Sequence, residues 1–162
     1  MTVAEEIIDI EVLRKRLLYY TKPNIRQSLF ELFITVLLFC FFWALSYGLF
    51  FVNPLLTFVF SLPAGLFLTR LFIIQHDCGH GSFFRNRKLN DNVGRVIGVI
   101  TLTPYYVWKN NHAIHHATSG NLDKRGVGDI NTLTVDEYRI LKLRGRLAYK
   151  IYRNPFVMFG IG

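Results

Sequence analysis

All five histidines of the chain fall between positions 76 and 116. His76 and His80 stand four apart in HDCGHGSFF, and His112, His115 and His116 stand three and four apart in HAIHH. At about 100° per residue, such spacings put side chains on one face of a helix. Imidazole is the commonest protein ligand for transition metals, and two on one face can reach one ion. Five donors exceed what a four-coordinate site needs, so the set has room for more than one ion. The HExxH pattern of zinc proteases is absent, because Asp77 follows His76 and Ala113 follows His112. Zinc stays open, although its closed structural sites favour Cys and its hydrolytic sites use three protein ligands. Asp77 and Asp129 are candidates to orient a ligating imidazole through its second nitrogen. Their competing roles are capping or simple solvation for Asp77, and turn formation after Gly128 for Asp129. Trp108 flanks the second cluster and reads as an interfacial anchor, and Gly79 and Gly81 read as sites of close helix approach.

Two imidazole faces converge only if long elements deliver them to one layer. From Leu32 to Val52 run 21 residues without a charge, enough to cross the hydrocarbon core as a helix. Asn53-Pro54 is a turn signal. A second apolar stretch, residues 54–75, follows, interrupted by Pro63 and Gly65, which membrane helices tolerate. Arg70 lies near its end, where the long stem can reach the interface. The link between the two stretches carries no Lys or Arg; residues 1–28 carry five and the chain after Gln75 carries thirteen. The positive-inside rule therefore places the N-terminus and both histidine clusters in the cytoplasm. His76 and His80 continue the second membrane helix just past the bilayer, and the HAIHH helix, ending at Gly120, returns to the same layer.

Composition agrees. Hydrophobic residues make up 51% of the 162, with 15 Phe, more than a soluble domain this small could hide. The net charge of +8, with no recognition motif or aromatic-interleaved basic stripe, favours a lipid surface and no nucleic-acid partner. Cys40 and Cys78 lack metal or redox spacing and read as small buried hydrophobes. The N-terminus has no signal-peptide pattern and reads as a short amphipathic helix. FFRNRKLNDN reads as a basic surface loop. Residues 96–107 are apolar but too few to span, so they are interfacial, re-entrant or packed on the other helices. Thr134 and Glu137 form a possible capping box. It opens a basic helix over VDEYRILKLRGRLAYKIYR, lying on the membrane or packed on the domain. Asn154-Pro155 ends it, and residues 156–162 read as the start of a third membrane helix.

HDCGHGSFF and HAIHH resemble the first and second histidine boxes of membrane fatty acid desaturases, in the acyl-lipid branch that includes delta-12- and omega-3-like enzymes. PYYVWKNNHAIHHATSGNLDKRGVGDI extends the likeness, which runs from about residue 30 to the end of the sequence. The resemblance implies an all-α membrane protein: a transmembrane hairpin (32–52 and 54–75) after a cytoplasmic segment (1–28), and a cytoplasmic catalytic part (76–155). It implies two irons held almost wholly by histidines, His76, His80, His112, His115 and His116 among them, with dioxygen as co-substrate. The family oxidises an unactivated methylene in a lipid acyl chain, chemistry that no acid–base group performs and that iron with dioxygen supplies. Electrons come from a ferredoxin- or cytochrome-b5-like donor. The family also carries a third histidine box and a second pair of membrane helices. The 162 residues contain neither, so the expectation is a front portion of one domain, inactive by itself. Other readings are a hydroxylase or ketolase on the same scaffold, a bis-histidine haem protein, and a catalytically dead fragment.

Overall fold

The computed structural model describes residues 10–20 and 22–160. Within them run α1 (Ile10–Tyr20), α2 (Ile25–Leu49), α3 (Pro54–His80), α4 (Arg87–Ile100), α5 (Tyr105–Thr118), a short 3-10 turn (Leu122–Lys124), α6 (Val135–Ile140), α7 (Leu143–Tyr152) and α8 (Pro155–Gly160). No strand occurs among the described residues. The first nine residues of the expected N-terminal helix lie outside them. The chain forms two compact units, one ending at Asn110 and one beginning at Asn111, so the boundary falls within α5.

In the first unit, α2 and α3 are each long and apolar enough to cross a membrane. Asn53 starts α3 as the turn signal predicted: its Oδ1 accepts the Leu55 and Leu56 N–H groups at 2.9 and 3.3 Å, and Pro54 occupies the first helical position. The two helices pack together with their polarity reversed from that of a soluble protein. Ser28, Thr35 and Ser46 are the buried residues of α2, whereas Phe33, Phe41, Trp43, Phe58 and Leu66 are exposed. Small polar residues at the seam let membrane helices approach closely and hydrogen-bond. Thus Ser46 donates to the Thr57 carbonyl at 3.0 Å. Arg70 turns to the same seam, pairing with Glu31 and donating to Thr35 Oγ1 at 3.0 Å. The apolar run expected at 32–52 thus begins within a longer helix and ends in a turn at 50–52.

The expected surface loop FFRNRKLNDN is mostly helix. Asn86 caps α4 by accepting the Lys88 and Leu89 N–H groups. Buried Asn90 accepts the Phe84 N–H at 2.9 Å and donates to the Phe84 carbonyl at 2.7 Å. That clamp closes the turn after α3 and leaves only residues 81–86 outside helix. Leu71, Ile74 and Cys78 of α3, Ile97 of α4 and Tyr105 form the core. Gly94 and Gly98 make this approach possible: a Cβ would lie 2.2 Å from the Tyr105 ring at Gly94, and 2.6 Å from the Thr103 carbonyl oxygen at Gly98. Residues 96–107 are not one segment but the end of α4, a turn and the first residues of α5.

In the second unit, the capping box forms. Glu137 N–H reaches Thr134 Oγ1 at 3.2 Å, and Thr134 N–H reaches Glu137 Oε2 at 2.7 Å. The basic stretch after it is two helices rather than one. Leu141 is extended (φ −60°, ψ 137°), and Arg146 donates to the Leu141 carbonyl at 3.0 Å and to the Arg139 carbonyl. A guanidinium that satisfies the last carbonyls of α6 replaces the hydrogen bonds of a continuous helix. Asn154-Pro155 breaks the chain as predicted, and Asn154 caps α8.

Arg125 pairs with Glu137 and, with the Thr134 N–H, holds the Glu137 carboxyl down at about 2 against an ordinary 4.5. The unfolded carboxyl takes its proton first as pH falls. Its contribution is therefore complete above pH 4.5, declines below it, and is gone below about pH 2. The expected result is that carbon chemical shifts of residues 135–140 drift toward coil across that window, read by NMR in micelles.

Candidate metal centre

The first histidine pair is built by the unbroken continuation of α3 past its apolar run. His76 and His80 lie one turn apart, with Nε2 atoms 3.3 Å from each other and ring centroids 4.5 Å apart. The second ring nitrogen of His76, Nδ1, lies 3.3 Å from Asp77 Oδ1, so Asp77 touches the imidazole. Gly81 ends the helix at φ 71°, a left-handed conformation that a Cβ disfavours. Its role is this turn and not close approach, because nothing lies within 4 Å of its would-be Cβ. Gly79 does serve close approach: a Cβ there would stand 2.7 Å from Trp108 Cζ3. The indole also meets His76 at 5.7 Å and Phe72 at 5.5 Å between centroids. Trp108 is therefore a packing partner of the first histidine.

The start of α5 is fixed by three residues that sequence reasoning missed. The Tyr105 hydroxyl shares its one proton between two acceptors, Asp91 Oδ1 at 2.8 Å and the Cys78 carbonyl at 3.1 Å. Lys109 Nζ donates to the same Asp91 oxygen at 2.7 Å. Lys109 holds the Asp91 carboxyl below its ordinary range, helped by the phenol. Burial, together with the Asp91 acceptor, pushes the Tyr105 phenol above its own. The only sequence signal was the i, i+4 spacing of Tyr105 and Lys109. Replacing Asp91 with alanine removes the shared acceptor, and the expected cost is about 1–3 kcal/mol, read as a lowered thermal midpoint.

Further along α5, His112 and His116 form the second pair, with Nε2 atoms 2.9 Å apart and centroids at 4.4 Å. His115 turns elsewhere. Its Nδ1 lies 2.7 Å from Asp129 Oδ1, off the line of a hydrogen bond although the nitrogen is buried. Gly128, at φ 72°, brings this loop in, and a Cβ on it would meet His115 Cβ at 3.3 Å. Asp129 is thus an imidazole partner as well as a turn residue. The fold gathers the histidines as two i, i+4 pairs and sets His115 apart against a carboxylate.

Each pair suits a shared ion. Nitrogens about 2.1 Å from a metal and at right angles to each other lie about 3.0 Å apart, and the two observed separations bracket that value. Neither pair suits a haem held between its two rings, because axial nitrogens on opposite faces stand about 4 Å apart at the same bond lengths.

The profile described as fatty acid desaturase matches residues 53–160. The chain belongs to the fatty acid desaturase family. A fatty acid desaturase of Bacillus subtilis (strain 168) is 48% identical over 150 residues, covering 93% of this chain and 43% of that protein. An sn-1 acyl-lipid omega-3 desaturase (ferredoxin) of Synechocystis sp. is 38% identical over 104 residues, 63% of this chain and 28% of that protein. An endoplasmic-reticulum omega-3 fatty acid desaturase of Vigna radiata is 39% identical over 122 residues, 72% of this chain and 30% of that protein. The chain therefore spans less than half the length of these relatives. No solved structure matches it.

Proposed function

We propose that the full-length protein is a membrane fatty acyl desaturase that introduces a double bond into a lipid acyl chain. The observation that carries this reading is the two close imidazole pairs in a chain of this family. His76 with His80, and His112 with His116, each offer two adjacent imidazoles able to hold a metal ion, and in this reading they are ligands of a non-haem di-iron site, with His115 a fifth. Bound iron would supply, with dioxygen, the oxidant for an unactivated C–H bond. Asp77 orients the His76 ring through Nδ1 and leaves Nε2 for the metal, and the Asp129 carboxylate faces Nδ1 of His115. Trp108 packs against one side of His76.

The outward apolar faces of α2 and α3 support membrane insertion, and the charge distribution supports a cytoplasmic site. Electrons come from a ferredoxin- or cytochrome-b5-like donor; the Synechocystis relative is named as a ferredoxin-type desaturase. The basic surface suits an acidic partner. Five histidines fall short of the family's ligand set, so the 162 residues alone are proposed to be inactive. The test is acyl-chain analysis of a host expressing the full-length protein. A new double bond is expected; an inserted hydroxyl or keto oxygen would assign the scaffold to an oxygenase instead.

A further inference from the structure

The turn between α4 and α5 has its polarity inside out. Thr101 Oγ1 donates inward to Gln75 Oε1 at 2.7 Å, and Gln75 is fully buried. Thr103 Oγ1 donates back to the Thr101 carbonyl at 3.2 Å. The three N–H groups of the turn are satisfied within it: Thr101 to Ile97, Leu102 to Val99 and Thr103 to Gly98. Pro104 has none to satisfy. What faces outward is apolar: Val96, Val99, Leu102, Tyr106 and Val107 are 50–89% exposed, Leu102 the most. Leu102 also sits at φ 54°, a conformation that glycine or asparagine adopts more easily. A water-facing turn has no use for a leucine at that position.

We propose that this turn is a membrane-inserted tip, its apolar side chains seated among lipid acyl chains just below the headgroups. Three features point to lipid as the occupant. The tip is pinned beside Gln75, the last residue of the apolar run of α3, and Ile97 packs on Leu71 and Ile74 of that run. It is therefore level with the bilayer end of α3 and continuous with its lipid-facing surface. The donors are satisfied internally, as backbone in hydrocarbon requires. Exposed Arg87, Lys88 and Arg95 lie on the same helix, placed to meet anionic headgroups. The tip would hold α4 and the start of α5 at a fixed depth, and with them the Asp91 clamp.

The proposal rests on α2 and α3 spanning the membrane, and one experiment separates the two. The full-length protein is labelled with an environment-sensitive fluorophore and placed in phosphatidylcholine vesicles with acyl-chain bromines. Native Cys40, exposed on α2, reports the span. Leu102→Cys in a Cys40→Ala background reports the tip; Cys78 is buried. The expected result is loss of emission to bromolipid at both positions and no loss to aqueous iodide. Quenching of the Leu102 label by iodide alone would overturn the proposal. So would quenching by neither agent, which would mean that protein covers the tip. A Cys40 label untouched by bromolipid would instead overturn the membrane span.

Discussion

Replacing His80 with alanine in the full-length protein is expected to abolish acyl-chain conversion while membrane insertion persists. His80 Nε2 stands 3.3 Å from His76 Nε2, so, with both as ligands as proposed, the substitution removes one of two adjacent donors. The remaining imidazole cannot fix coordination number or geometry. Mutating only the partners that orient metal ligands costs about 10–100-fold, so losing a ligand is expected to cost at least about 100-fold. His115→Ala is expected to do the same. Asp129→Asn is milder, because the His115 ring keeps a neutral partner. Product analysis by gas chromatography, beside a membrane-fraction blot, checks all three. Desaturation retained in His80→Ala would remove His80 from the ligand set.

Gly94→Ala carries the largest expected effect on folding. The added Cβ would lie 2.2, 2.7 and 2.8 Å from three atoms of the Tyr105 ring. That ring is 4% exposed and tied at its hydroxyl to Cys78 and Asp91, so it cannot swing aside without breaking the clamp on α5. Overpacking of this kind costs about 1–3 kcal/mol, and here the lost hydrogen bonds add to it. A lowered thermal midpoint is expected. Tyr105→Ala in the same chain makes room for the methyl, so the double variant should be less destabilised than the sum of the two single ones. Simple additivity would mean that ring and methyl do not collide.

What the sequence made legible was periodic or local. Histidine spacing put each pair on one helical face, the long apolar runs marked the two helices long and apolar enough to cross a membrane, and Asn53-Pro54, Asn154-Pro155 and Thr134 with Glu137 marked helix boundaries. What it hid depends on partners distant in sequence. Asp91 reads as one acid in a basic stretch until Tyr105 and Lys109 are brought to it. The basic run after Thr134 has a helical pattern throughout, and only the reach of Arg146 back to Leu141 and Arg139 shows why it splits. Residues 96–107 read as one apolar patch because composition does not tell which side chains turn inward. His115 shares the spacing of its neighbours, and only the loop around Gly128 separates it from them.

The central claim is that these imidazoles hold non-haem iron. The most direct measurement is iron content and the optical spectrum of the purified full-length protein, wild type beside His112→Ala. Bound iron without a Soret band in the wild type, with iron lost in the variant, is the predicted result. A Soret band, or iron content unchanged by His112→Ala, would contradict it.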